Sequence, residues 1–247
     1  MWILLYLWVL CLPAPAQSHL DEIERRGLLR VGTPGDYPPF SLATGQDYAG
    51  FDIDLARLAG RKLGVRVEWI ASPWSNLLQD LGEDRYDMAV GGITRTLERA
   101  RQAGFTRALV SVGKVALVRR GEKLRYDKPE KINQPQVRVA SNPGGTNESY
   151  AREHFGRAQV ILFQDNLSIP GRLARGEVDV FVTDSLEASR AVSLNPDLAV
   201  AAPPWTQETL GWMVPRADQA WLNWLNLFLE ECECNGSLAR LRSQHGI

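Results

Sequence analysis

Cysteine and histidine are both scarce, with three of each in 247 residues. Cys232 and Cys234 stand two apart near the end of a helical pattern, so their side chains diverge and a strain-free bridge is not expected. With so few histidines the thiols make a poor metal site, and they read as structural or incidental. No cofactor or metal is expected. A basic excess is missing too: 28 lysines and arginines face 29 acidic residues, a formal net charge of -1. That leaves no electrostatic footprint for nucleic acid. The 14 prolines and 21 glycines are spread out, and no repeat or low-complexity segment stands out. Long apolar runs are missing after the first 17 residues, so no later stretch qualifies as a membrane span. The opening "MWILLYLWVLCLPAPAQ" is itself too short to span and ends in Ala14-Pro15-Ala16, a small-residue cleavage pattern. It lacks the usual early Lys or Arg, yet residues 1–16 read as a signal peptide of an exported protein. Cys11 would leave with it, and Trp8-Val9-Leu10 before it is no lipid-anchoring signature.

What is present is a run of strand–helix units organised around "GEVDVFVTDSLEAS" (176–189). An apolar, β-branched run over 178–182 reads as a short buried strand, and "SLEASRAV" continues at helical spacing. A strand feeding a helix start is where an α/β sheet presents side chains to a ligand. Asp184 and Glu187, three apart, share one side of the helix's first turn. Two carboxylates at a cleft edge suit an amine ligand, or an acid catalyst beside a charge-binding group. The same spacing also suits a capping box, with Asp in place of Ser or Thr.

From the start, "SHLDEIERRG" predicts a capped helix and "LLRVG" a first strand. "TPGDYPPFS" predicts a loop that carries Tyr37 and Phe40 at the strand's carboxyl end. An amphipathic helix follows, with Leu55, Leu58, Ala59 and Leu63 on its apolar face. After the strand "VRVEWI", Ser72 and Pro73 suit a helix start, which sets Trp74 beside the cleft. "YDMAVGGI" reads as a strand and "TRTLERARQAG" as a helix capped by Thr94 or Thr96 and ended at Gly104. Arg99 in its first turns opposes the helix dipole, which makes sense if it faces an anion; pairing with Glu98 or Asp80 is the alternative. "VSVGKVALVRRG" is extended. Pro143-Gly144-Gly145 then turns into a helix near Thr146, whose bare N–H groups suit a carboxylate or phosphate. No Lys-Ser/Thr follows, so this is not a nucleotide loop. "LGWMVPR" is a strand, and the tail is two helices divided at Asn235-Gly236 and packed back on the first lobe.

The motifs "TPGDYPPFS", "YAGFDIDLA", "YDMAVGGIT" and "ERARQAGFT", with "GEVDVFVTD" later, resemble the periplasmic solute-binding proteins of the polar amino-acid class. Within them "SPWSNL", "LERARQA", "NPGGTNE", "DNLSI" and "TDSLEA" are similar to the periplasmic cyclohexadienyl dehydratases. The resemblance covers essentially all of the mature chain. It implies an α/β fold of the type II periplasmic binding protein class, two lobes on a two-crossing hinge with the cleft between them. Lobe 1 would take 17–117 and 203–247, and lobe 2 the inserted 118–202. The implied reaction removes water and carbon dioxide from prephenate or arogenate without a cofactor. Its general acid falls on Glu187. The resemblance further places Arg99 on a ligand carboxylate, with Thr146 and Asn147 assisting from the second lobe and Thr94 beside them. Asp184 would take an amino group, Tyr37 and Trp74 would flank the ring, and Lys114 would meet a second carboxylate. The sequence departs from the pattern at Arg107-Ala108-Leu109, where a pocket wall or hinge contact is expected to differ. The partner expected is a small molecule: prephenate, arogenate, or an amino acid if the chain is an importer's receptor.

Overall fold

The computed structural model describes residues 18–247, so the signal-peptide reading of 1–16 and Cys11 lie outside the described residues. Ser18 accepts from the Leu20 N–H to cap α1 (His19–Arg26), and Gly27 at φ 65° ends it. There follow β1 (Leu28–Thr33), β2 (Asp36–Tyr37), β3 (Ser41–Thr44), β4 (Asp47–Ala49), α2 (Phe51–Leu63) and β5 (Arg66–Ala71). Next come α3 (Leu77–Gly82), β6 (Met88–Ala89), α4 (Leu97–Ala100), β7 (Ala103–Phe105) and β8 (Val110–Val112). The second lobe runs through β9 (Lys114–Arg119), α5 (Pro129–Ile132), β10 (Arg138–Ser141), α6 (Thr146–His154) and β11 (Gln159–Leu162). It ends with α7 (Ile169–Ala174), β12 (Val180–Asp184), α8 (Ser185–Leu194) and β13 (Leu198–Val200). The chain returns through β14 (Glu208–Leu210) and β15 (Met213–Pro215) to α9 (Gln219–Cys234) and α10 (Ser237–His245).

Each lobe holds a five-stranded sheet built alike. The first has the order β5-β1-β6-β15-β7 and the second β11-β10-β12-β9-β13. In both, the first three strands are parallel, as βα units require, and the fourth is antiparallel. That antiparallel strand is the one nearest the crossing: β9 follows the outward passage and β15 the return. The two passages, β8 and β14, pair with each other, so the hinge is a hydrogen-bonded ribbon. Because β9 joins the second sheet from Lys114, we place the first crossing at Gly113, ahead of position 117.

An aspartate anchors the middle of each sheet. Asp87 accepts from the Arg30 N–H and pairs with Arg26 and Arg30, and Asp179 treats Arg138 the same way. Trp221, Leu225 and Leu229 of α9 are fully buried in the first lobe's core, each worth roughly 1.5–3 kcal/mol of burial. The Trp221 indole N–H also reaches the Asp87 carbonyl at 3.0 Å. Cys232 is buried in that core and Cys234 is exposed, both as free thiols. Among the described residues no helix is long and apolar enough to cross a membrane.

Three local expectations are corrected. The "TPGDYPPFS" stretch is not all loop, since β2, β3 and β4 make a small antiparallel sheet. Ser72 does not start a helix: its hydroxyl donates to the buried Asp80 at 2.6 Å, and α3 begins at Leu77. The helix after Thr96 lasts from Leu97 to Ala100, because Gly104 pairs with Val214 in the first sheet and pulls the chain into β7. Sheet pairing outweighs weak local helix preference there.

Candidate functional site

The floor of the cleft is a cross-strand pair. The register of β12 on β9 sets Asp184 opposite Lys114, and the Lys114 Nζ donates to Asp184 Oδ1 at 2.7 Å. Lys114 is 1 % exposed; it also donates to Thr146 Oγ1 at 2.9 Å and lies 3.2 Å from Glu208 Oε2. It thus makes two hydrogen bonds and one further ion pair. The other Asp184 oxygen accepts from the Tyr37 hydroxyl of the first lobe at 2.5 Å. Asp184 occupies the N-cap position of α8, but its side chain makes no capping bond. The capping-box alternative is thereby rejected. Glu187 is turned inward as well, accepting from the Thr183 hydroxyl and, at 2.7 Å, from Asn166 Nδ2.

The walls come from loops of both lobes. Tyr37 and Trp74 meet edge to face at 5.8 Å, and the Trp74 indole N–H donates to Asp36 at 2.8 Å. Thr94 and Thr146 touch across the cleft through their hydroxyls at 3.1 Å. Asn166 donates both to Glu187 and to the first-lobe carbonyl of Asp36, so its amide orientation is set and its Oδ1 is left buried without a partner. Asn147 Oδ1 is likewise buried and unpaired. No side chain caps α6, and Thr146 and Asn147 at its start line the cavity. Two amide oxygens and an uncapped helix start await donors and acceptors from a ligand. With the lobes closed, this inner cavity encloses about 20 Å³, enough for one water molecule. A ligand therefore enters with the lobes apart, displacing the contacts that latch them.

Burial dominates the electrostatics. It pushes the Glu187 carboxyl up to about 8, with the charges of Asp184 and Asp36 adding and the Thr183 and Asn166 hydrogen bonds opposing. Burial likewise raises Asp36 to about 6. The Tyr37 phenol is held well above its usual range by burial and the neighbouring carboxylates. Arg99 is desolvated enough to lower its pKa; it donates to the Thr94 carbonyl at 3.0 Å and makes no ion pair among the described residues. The alternative of Asp80 as its partner fails, since Asp80 pairs with Arg85. A half-buried guanidinium that makes no ion pair among the described residues suits an anionic ligand.

The structure thus brings Tyr37, Trp74, Thr94, Lys114, Thr146, Asn147, Asp184 and Glu187 to one cleft, with Arg99 one layer behind Thr94. Two expectations change. While the lobes are closed, each Asp184 oxygen already accepts a hydrogen bond, and Lys114 is held by Asp184, Thr146 and the charge of Glu208, so each exchanges a partner to meet a ligand. Asn142, Asn166, Asp36 and Glu208 went unnoticed in sequence although the first three lie in "NPGGTNE", "DNLSI" and "GDY". Burial marks Asn142 and Asn166, whereas Asp36 and Glu208 are marked by their contacts with Trp74 and Lys114. The departure at 107–109 is tied down away from the cavity. The Arg107 N–H donates to Asn226, its guanidinium pairs with Glu233, and Leu109 pairs with Leu210. Among the described residues, His19, Asp84 and Asp87 are grouped closely enough for a metal, but arginines already pair with both aspartates.

Two positions invite direct tests. Buried Asp52 accepts from the Gly91 and Gly92 N–H groups at 2.9 and 2.7 Å and from the Trp212 indole at 3.0 Å, fixing the turn that leads to Thr94. Asp52→Ala strands three buried donors, so a loss of about 3 kcal/mol is expected, read as a drop of roughly 6–12 °C in thermal unfolding. An unchanged melting temperature would refute that role. Gly144, at φ 79°, carries the second lobe's turn against Ser75; an added Cβ would fall 2.5 Å from the Ser75 nitrogen. Gly144→Ala is expected to hold the lobes apart. It should increase the radius of gyration in small-angle scattering and weaken ligand binding at least tenfold, roughly 1.4 kcal/mol. An unchanged radius would contradict it.

Comparison with known proteins places this geometry. The chain is 37% identical over 234 residues to the cyclohexadienyl dehydratase of Pseudomonas aeruginosa, covering 94% of this chain and 87% of that one. It is 27% identical over 226 residues to the L-cystine-binding protein TcyJ of Escherichia coli, covering 90% and 84%. Among solved structures it is similar to an ancestral amino acid-binding protein described as a precursor of cyclohexadienyl dehydratase. That likeness has a TM-score of 0.87 and 34% identity over 92% of this chain and 99% of that one. The model of the bacterial extracellular solute-binding proteins, family 3, matches residues 29–246, and the chain belongs to that family.

Proposed function

We propose that this chain is a periplasmic cyclohexadienyl dehydratase, exported by its first 16 residues, that converts prephenate to phenylpyruvate, L-arogenate to L-phenylalanine, or both. The observation that carries the reading is Glu187, a buried carboxyl that stays protonated near neutral pH and is aimed by Thr183 and Asn166. A ring hydroxyl leaves poorly unless protonated, and such an acid supplies the proton. The C–O bond breaks as Glu187 gives up its proton, and water departs. The C–C bond to the ring carboxylate breaks, carbon dioxide departs, and the electron pair enters the ring to make it aromatic. Arg99 would hold one carboxylate, and Lys114, exchanging a partner as the lobes open, the other. Tyr37 and Trp74 would flank the ring, and Thr94, Thr146 and Asn147 would complete the polar wall.

A non-catalytic amino-acid receptor is the competing reading, favoured by relatives such as the cystine-binding protein. Against it, the Asp184 charge is already met by Lys114, so the closed site offers an α-ammonium group amide oxygens rather than a free Asp184 carboxylate. The test incubates purified protein with prephenate and then with arogenate, following phenylpyruvate by its absorbance in alkali and phenylalanine by chromatography. Product from either supports the enzyme. Neither product, together with tight binding of an amino acid, makes it a receptor.

A further inference from the structure

Glu187 lines a second cavity, of about 400 Å³, twenty times the volume of the inner one. Both lobes build it: Pro38 and Leu42 from the first, Leu167, Pro170, Leu194 and Arg190 from the second. Asn166 and Glu187 form its inner end, and Asn166, which donates to Glu187, lines the inner cavity as well. Its rim carries two exposed leucines, Leu167 at 46% and Leu194 at 70%. Large apolar side chains left in water at a concave site mark a place where something apolar is held. Arg190 supplies one charge, and among the described residues it makes no ion pair and no side-chain hydrogen bond.

We infer that this outer cavity binds an aromatic monocarboxylate, its ring between Pro38, Leu42 and Pro170 and its carboxylate on Arg190. One unpaired cation sets one anionic group, and the flat apolar walls set a ring. The neutral state of Glu187 removes the repulsion that an ionised acid at the inner end would exert. An occupant touches both lobes, so it binds the closed arrangement better than the open one and shifts the population toward closure. Since the closed inner cavity admits no substrate, occupancy inhibits turnover; this regulatory consequence rests on the dehydratase reading, whereas the binding does not. A product of that reaction has the required chemistry.

Phenylacetate is the probe, titrated calorimetrically into wild type, Arg99→Met, Arg190→Gln and Leu194→Glu. Two mutually opposing equivalents are expected on wild type, because the outer occupant favours the closed lobes and the inner one the open lobes. Arg99→Met should lose the inner one, and Arg190→Gln the outer one by at least tenfold in Kd. Leu194→Glu, at an exposed position that cannot disturb the core, should weaken the same outer equivalent. A single equivalent lost in Arg190→Gln and kept in Arg99→Met would support this site while sinking the proposed role of Arg99. Binding unaffected by Arg190→Gln and Leu194→Glu overturns the inference, whether or not the protein turns over prephenate.

Discussion

Glu187→Gln is expected to lower kcat for dehydration by roughly 10²–10⁴ while substrate binding persists. The substitution is close to isosteric. Its carbonyl can still accept from Asn166, and its amide can donate to Thr183, so both partners of the native carboxyl are kept. What is lost is the transferable proton. The wild-type rate should be full below about pH 8 and fall tenfold per pH unit above it, since the acid acts protonated and its pKa is pushed up to about 8. The variant should have no such limb. Stability should move the other way. Glu187 has a folded pKa above its unfolded value of 4.5, so the folded protein holds a proton that the unfolded chain loses as pH rises. Wild type is therefore penalised progressively from about pH 4.5 to about 8, and fully above that. At about 1.4 kcal/mol per unit, the penalty is on the order of 5 kcal/mol. Glu187→Gln should be more stable than wild type by that order at pH 8–9, and equal to it near pH 4, in urea unfolding. A variant that keeps wild-type turnover would remove Glu187 as the acid. One no more stable at pH 9 would show that its carboxyl is not buried as described.

Lys114→Met should destabilise the protein by about 3–5 kcal/mol, because it leaves Asp184 and Glu208 without the buried cation between them. Lys114→Met with Asp184→Asn should recover much of the loss, giving a coupling energy of roughly 1–3 kcal/mol in a double-mutant cycle. The same single variant also tests what the site recognises. With its ammonium partner gone, Asp184 becomes an open acceptor in a closed cleft. Affinity for an amino acid such as L-arginine should rise at least tenfold while dehydration falls. Urea unfolding and calorimetry check the two halves separately. A loss of stability below about 1 kcal/mol would mean the pair is solvated. Unchanged amino-acid affinity would mean that Lys114 does not exclude the amine.

Much of the framework was legible beforehand, and the reasons are local. Ser18 and Gly27 bracket α1 because one offers a hydroxyl to a bare N–H and the other accepts a left-handed backbone. The run through Val182 is apolar on both faces because helices cover both sides of a largely parallel sheet, and it forms the fully buried β12. The tail's two helices divide at Gly236, where φ is 76°. Where the reading failed, distant pairing overrode local preference. Gly104 suits a helix end, yet β15, more than a hundred residues later, draws it into the sheet. Ser72 suited a cap, yet Asp80 claims its hydroxyl.

The candidate site divides along the same line. Local pattern alone marked the strand ends and helix starts, since those depend on capping, turn chemistry and hydrophobic period within a few residues. Asp184 and Glu187 could be singled out that way, but not told apart from a capping box. The choice between the two comes from the folded arrangement. Register sets Lys114 against Asp184, and lobe closure brings Tyr37 to the same carboxylate. Burial then keeps Glu187 neutral and leaves the amide oxygens of Asn147 and Asn166 unpaired. Charge state and free hydrogen-bonding capacity depend on what surrounds a group in space, and for these residues the surroundings come from segments tens to hundreds of positions away.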